Sequence, residues 1–356
     1  MKKYNLINNL TGWLAFTIAT AVYFLTLEET GSFWDCGEFI AAAYKLQVGH
    51  PPGAALFLLI GRIFTMFAFG DVTKVALMVN ALSALASSFT ILFLFWSITH
   101  LARKMVKVAD ENLTTSNYIT IMGAGLVGAV AYTFSDSFWF SAVEGEVYAM
   151  SSLFTAAIFW MILKWDAEMI SIKHGEIKDG RSPMRWMILI WFMFGLAIGV
   201  HLLGLLAVPA IAFVMYFNLW EKTTLKGIIL TGLISVVVLA FVQEGIIPGS
   251  VALASSFEVA FVNTLGLPFF SGTFFFFILL IGGFIWGFRY AKRKVKPILN
   301  TVLWSLAFLL IGYGSFAVIV IRSNANTPLD ENDPENLVTL HAYLKREQYG
   351  SWPILN

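Results

Sequence analysis

Charge and cysteine are both scarce in this 356-residue chain. Asp, Glu, Lys and Arg make up 13% of it, against about 25% in a soluble globular protein, while 58% of its residues are hydrophobic. At a mean hydropathy of +0.76 there is too little polar surface to solvate a particle of this size. That excludes a soluble globular fold and predicts a polytopic integral membrane protein. The single cysteine, Cys36, excludes an intramolecular disulfide framework and any multi-cysteine zinc or iron–sulfur site. Five scattered histidines offer no close ligand pair. No P-loop, HExxH or GxSxG pattern is present, nor an obvious internal repeat of the kind common in transporters.

A spanning helix needs about 20 mostly apolar residues, and only helices or closed barrels satisfy the backbone in lipid. Nine apolar runs fit helices, near 11–27, 75–99, 118–134, 147–164, 185–199, 202–219, 226–243, 269–287 and 299–320. The fifth and sixth meet at Gly199-Val200-His201 and read as one kinked helix or as a pair. Charge decides for the pair. With Lys2 and Lys3 placing the N-terminus in the cytoplasm, nine crossings put 100–117, 165–184, 220–225 and 288–298 on the same side. Then 17 of the 23 Lys and Arg lie inside and 15 of the 22 Asp and Glu outside, as the positive-inside rule asks. The basic run from Arg289 to Lys296 is thereby a topology anchor, and no nucleic-acid partner is called for. The first run continues past Ala19-Thr20-Ala21 to Leu27, so it is kept as a signal anchor rather than a cleaved peptide.

Two motifs fail on context. Gly123-Ala124-Gly125-Leu126-Val127-Gly128 satisfies GxGxxG but lies inside an apolar helix with no preceding strand, where small residues serve helix packing. Asn112-Leu113-Thr114 is a glycosylation sequon by letter, yet falls in a loop assigned to the cytoplasm.

The chemistry gathers on the outer face. Segment 28–74 is a long loop whose first eleven residues hold the four carboxylates Glu28, Glu29, Asp35 and Glu38. Two short amphipathic helices follow, 39–48 and 54–69, separated by His50-Pro51-Pro52-Gly53, and read as interfacial helices on the outer leaflet. Asp35 and Glu38 are three apart and share one side of a helix start. They are either an N-cap and its capping-box partner or a general base at the membrane surface. A second acidic group, Asp136, Glu144 and Glu146 with Trp139 and Tyr148, lies outside the third and fourth spans. Glu146 reads as a helix-start charge or a site residue, and the aromatics as interface or site residues. His201 sits at an outer turn in an apolar run, as a functional group or a histidine satisfied by a carbonyl. Arg322 ends the last span on the outside, suited to a phosphate or to a salt bridge with an outer carboxylate.

This order of elements resembles the GT-C membrane glycosyltransferases, which use polyprenyl-phosphate sugars. The run Asp35-Cys36-Gly37-Glu38-Phe39-Ile40-Ala41-Ala42-Ala43, followed by Val48-Gly49-His50-Pro51-Pro52-Gly53, resembles the signature of the transmembrane O-mannosyltransferase family of the animal endoplasmic reticulum and its Bacteroidota relatives. Glu146-Val147-Tyr148, Gly199-Val200-His201, Arg322 and Arg346-Glu347-Gln348-Tyr349-Gly350 resemble further segments of that family. The departures are Cys36 for the usual Ser and Ala54-Ala55 for Tyr-Pro. The resemblance implies an all-α, GT-C-like integral membrane bundle of about nine spans over 1–321, with 322–356 opening an extracytoplasmic region that continues in the family.

It also implies protein O-glycosylation, with mannose moved from a polyprenyl-phosphate carrier to Ser or Thr. Asp35 is then the general base of an inverting transfer. Glu38 and His50 orient substrate, Arg322 and then His201 stabilise the leaving phosphate, and Glu144, Glu146 and Tyr148 shape the acceptor side. The partners are the lipid-linked donor, the acceptor protein and membrane lipid. A divalent metal is compatible with so many carboxylates, but no spacing demands one. The expected location is a bacterial inner membrane with a periplasmic site, or the endoplasmic reticulum in a eukaryote. The rival reading is a transporter or lipid flippase, which predicts ionisable groups at the bilayer midplane and repeated, interrupted helices.

Overall fold

A computed structural model of the chain describes residues 2–109, 112–175 and 182–350. Among these residues fifteen α-helices form: α1 Lys2–Leu25, α2 Cys36–Lys45, α3 Ala55–Thr65, α4 Val75–Met105, α5 Thr115–Thr133, α6 Asp136–Ala142, α7 Val147–Lys173, α8 Met184–Ile198, α9 Val208–Leu219, α10 Leu225–Ala240, α11 Ile247–Val259, α12 Ser271–Arg293, α13 Pro297–Tyr313, α14 Ala317–Ser323 and α15 Leu337–Leu344. Among the described residues no strand forms beyond a one-residue bridge, Val48 with Asp330. The protein is an all-α membrane protein.

A helix lies at each of the nine expected positions, but the expected count of nine spans is corrected. Among the described residues six helical segments are long and apolar enough to cross a membrane, and seven if α5 and α6, bent by 68° at their junction, count as one. Helix α8 has 15 residues, and α1 carries Asn5, Asn8, Asn9, Thr11, Thr17 and Thr20, which dilute its hydropathy. Its Thr11, Thr17 and Thr20 hydroxyls donate to carbonyls one turn back, so they are satisfied within the helix. The seventh expected span, 226–243, runs on much further: Leu225–Thr264 is one helical segment of 40 residues. A π-turn over Phe241–Ile246 carries the helix on, and Pro248 is accommodated in the first turn of α11 that follows it.

Helices α4 and α7 are the most enclosed spans, 67% and 56% buried, and α10–α11 with α12 are peripheral. Two of the three glycines of the GxGxxG run pack as expected. A Cβ on Gly125 would meet Thr99 and Phe95, and one on Gly128 would meet Ile98, so α5 lies directly against α4. The sequon's Thr114 is an N-cap, trading hydrogen bonds with Asn117 at the start of α5.

Polar contacts divide the bundle into two ends. At one, Lys3 and Tyr4 meet Tyr118, Lys104 pairs with Asp166, Asn218 donates to Asp166, and Arg185 pairs with Glu168. At the other, Glu28 N–H donates to Val143 O, Asn80 Nδ2 donates to the Glu28 and Thr30 carbonyls, and the chain after α13 returns onto the loop following α2. The two short helices are more enclosed than an interfacial position requires, since Ala42, Ala43, Phe57 and Leu58 are core residues.

Candidate active site

A cavity of about 660 Å³ opens at this second end, and Asp35, Phe39, His50, Glu146, Tyr148, His201 and Arg346 are among its lining. The local sequence builds it from α2 outward. Asp35 is the N-cap of α2 by position, yet its side chain makes no capping hydrogen bond. The capping-box reading therefore fails, and the carboxylate stays available at 57% exposure. Glu38, on the same side one turn on, reaches away from its helix. Its Oε1 accepts from the His50 backbone N–H at 2.6 Å, and both oxygens lie 3.0 Å from His50 Nδ1. The imidazole is thus fixed with Nδ1–H on Glu38 and Nε2 turned to Asp35 Oδ2 at 3.8 Å.

The Glu38 hydrogen bond, opposed by burial and aided by the Glu38, Asp35 and Glu331 charges, holds His50 above the ordinary histidine value. Burial works to raise the Glu38 carboxyl, but bonds from the His50 ring and backbone outweigh it and leave it below 4.5.

Gly49 makes the Glu38–His50 contact fit, since a Cβ there would collide with Glu38 Oε1. Gly49→Ala is therefore expected to displace the carboxylate and cost about 2–3 kcal/mol, the scale of a charged hydrogen bond. Thermal unfolding in detergent checks this, and an unchanged melting temperature would show that Glu38 does not secure the loop.

The loop is clamped from the far end of the chain. Val48 N–H donates to Leu329 O and Glu331 N–H to Val48 O. Leu329 N–H donates to Gln47 Oε1. The buried Tyr343 hydroxyl donates to Gly49 O at 2.6 Å, and Arg346 Nε to Pro51 O at 3.1 Å. Arg346 reaches the cavity by this anchor, and its Nη atoms donate to no protein acceptor among the described residues.

Arg322, expected at a donor phosphate, is corrected on geometry. It does not line the cavity, because Nε donates to Leu46 O at 2.6 Å and Nη2 to Lys45 O at 3.3 Å, closing the C-terminus of α2. Lys345 and Glu244, which pair at 2.9 Å, and Gln243 are lining residues that sequence reasoning missed. Gln243-Glu244 inside an apolar run was the available signal.

The second acidic group comes to the same place. Glu146 is 5% exposed and caps α7, with Oε2 accepting from Val147 N–H at 3.0 Å. Burial, with the Asp35 and Glu144 charges, pushes its carboxyl up to about 7. Glu144, raised by burial, lies behind the site and accepts from the Cys36 thiol at 3.6 Å. Cys36 is fully buried and pushed up to about 12, chiefly by burial, so it is an unreactive thiol.

His201 Nδ1 accepts from Leu203 N–H, and the ring lies 5.3 Å from that of Tyr148. Burial, then the Arg346 charge, lowers His201, which keeps it a neutral imidazole with Nε2–H as its donor. The structure thus gathers Asp35, His50, Glu146, Tyr148 and His201 on one cavity, with Glu38 and Glu144 behind them. Arg322 is the expected residue left outside.

A titration follows from Glu146. The folded state holds a proton that the unfolded chain releases at its ordinary value of 4.5. This stabilisation, about 3 kcal/mol, is complete below that value and lost as pH rises through about 7. In EDTA-containing detergent buffer, Glu146→Gln is expected to raise the melting temperature over wild type more at pH 8 than at pH 5. Equal differences at both would refute the burial argument.

Comparison with known proteins follows the same residues. The family described as "Protein O-mannosyl-transferase TMEM260 N-terminal domain" matches residues 35–224, more than half of the chain. A Dictyostelium discoideum protein O-mannosyl-transferase tmem260 is 26% identical over 228 residues, 62% of this chain and 26% of that protein. The Mus musculus protein O-mannosyl-transferase TMEM260 is 27% identical over 163 residues, 46% of this chain and 20% of that protein. The chain thus spans about a quarter or less of the length of these curated relatives. No solved structure matches it.

Proposed function

Because this chain belongs to the protein O-mannosyl-transferase TMEM260 family, we propose that it transfers mannose from a polyprenyl-phosphate carrier to Ser or Thr hydroxyls of proteins. The observation that carries the reading is the convergence of Asp35, Glu38 and His50, with side-chain atoms within 4.8 Å of one another, at a cavity that Asp35, His50, Arg346 and His201 line.

Asp35 takes the proton as the acceptor O–H bond breaks. The oxygen bonds to the anomeric carbon from the face opposite the phosphate, and the carbon–oxygen bond to the carrier breaks with its electron pair on the phosphate, inverting the centre. That leaving group needs positive charge and hydrogen-bond donors rather than an acid. Arg346 and the His201 Nε2–H meet this need, the former in the role first given to Arg322. Glu38 holds His50 in register, and Glu146 and Tyr148 face the acceptor. By the distribution of Lys and Arg, the site faces away from the cytoplasm, which is the periplasm for a bacterial inner membrane and the lumen for the endoplasmic reticulum of a eukaryote.

The test is transfer from radiolabelled polyprenyl-phosphate mannose to a Ser/Thr-containing acceptor in proteoliposomes. Labelled acceptor whose sugar is released by alkaline β-elimination is expected. An inert wild type with mannose and several other carrier-linked sugars would sink the reading.

A further inference from the structure

An apolar groove of about 270 Å³ lies between α8, α9 and α10. Trp191 and Phe194 form its first wall, the length of α9 from Val208 to Trp220 its second, and Ile234 and Val238 of α10 its third. No charged residue lines it. Two of its polar groups are spent on nearby backbone: Ser235 Oγ donates to Gly232 O, and the Tyr216 hydroxyl accepts from Thr224 N–H.

The groove starts where the active-site cavity stops. Ile198 lines the cavity and Phe194 the groove. Four residues apart on α8, they share a face one turn, about 6 Å, from each other. On the second wall Leu202 belongs to the cavity and Val208 to the groove, and the turn that joins them, Leu202–Ala207, is wholly apolar. On the third, Gln243 belongs to the cavity and Val238 to the groove.

Length identifies the occupant. Leu202–Leu219 is one segment able to cross a membrane. Its first six residues, in a 3₁₀ turn, take up about 12 Å, and the groove follows the remainder from Val208 to Trp220 for about 18 Å. The far end lies beside Asn218, whose side chain donates to Asp166 at the opposite end of the bundle from the cavity. The hydrocarbon core is about 30 Å thick, so an acyl chain with its head group at the cavity's end stops about 15 Å down, at the top of the groove. An acyl chain from the other leaflet fills the lower part and does not meet the cavity. A chain that starts in the cavity and passes the midplane fills the whole.

We propose that the groove holds the isoprenoid chain of a polyprenyl phosphate whose head group occupies the cavity, and that it selects carriers long enough to cross the bilayer midplane. The head-group half of this rests on the transfer reading above, whereas the preference for a long chain does not require that sugar be moved. Lipid tails are as apolar as the groove, so what a seated chain gains is packing rather than transfer out of water.

The experiment titrates the full chain in detergent with farnesyl phosphate and with undecaprenyl phosphate, neither carrying a sugar, and counts bound lipid by native mass spectrometry. The longer lipid is expected to bind at least about 10-fold more tightly, and excess phosphatidylglycerol is expected not to displace it. Ala212→Trp and Thr231→Phe fill the groove from opposite walls, and in each the two lipids should bind with the same weak affinity. Leu233→Trp, an exposed position on α10 outside the groove, should keep the wild-type preference. Melting curves establish that each variant is folded.

Equal affinity of the wild type for the two lipids, undiminished selectivity in folded Ala212→Trp and Thr231→Phe, or displacement by phosphatidylglycerol overturns the groove. Sugar transfer that is equally efficient from farnesyl and undecaprenyl carriers overturns the selection by length and leaves the transfer reading standing. Length-selective binding in a chain that transfers no sugar establishes the groove and removes that reading.

Discussion

Transfer by the Asp35→Asn variant is expected to fall about 10²–10⁴-fold, the range a positioned general base supplies. The substitution keeps the shape and removes the basic oxygen. Its stability effect should be slight, because the Asp35 side chain caps nothing and is half exposed. An unchanged melting temperature with a collapsed rate is therefore the signature of a base. A variant that transfers within about 10-fold of wild type would move the assignment to Glu146, the neighbouring carboxylate that burial has already pushed up to about 7.

Loss of Arg346 is expected to be nearly as severe. Arg346→Met should lower kcat about 10²–10³-fold, as for removal of one donor that stabilises developing charge. Part of that loss comes from the loop, since Nε anchors Pro51 O. Arg346→Lys separates the two contributions: it keeps a cation and forfeits the planar fork, so its kcat should fall between wild type and Arg346→Met. If Arg346→Met retains kcat within about 3-fold, the leaving phosphate is stabilised elsewhere, with the His201 Nε2–H next in line. A control at Arg322→Met should weaken folding instead, because that guanidinium holds the carbonyls of Lys45 and Leu46.

The two arginines mark where the sequence stopped being legible. Arg322 ends the last span and was expected at a phosphate, whereas Arg346 was read only as part of a family-like segment. Which one enters the cavity depends on how the chain after α14 folds back onto the loop after α2, 295 residues away in sequence, and no local pattern encodes that. Local patterns served well where the physics is local. The spacing of Asp35 and Glu38 put both on one side of a helix start, the missing strand identified Gly125 and Gly128 as packing residues, and the charge distribution separated the two polar ends of the bundle. Glu38 was harder, because its partner is a loop residue twelve positions later that Gly49 lets approach. The span after Leu225 was read too short because Gln243-Glu244 end the apolar run while the helix continues past them through a π-turn.

The clamp on the His50 loop also fixes when the site comes into being. A ribosome releases Asp35, Glu38 and His50 early, but the Tyr343 hydroxyl that holds Gly49 is made 294 residues later. Arg346 follows after a further three residues. Until that late stretch has crossed to the same side, the early loop has its acids without its anchor and without the Arg346 cation. The cavity around Asp35 and His50 therefore stays incomplete through the synthesis and insertion of everything that precedes Tyr343, and it closes only when α15 and Arg346 have docked.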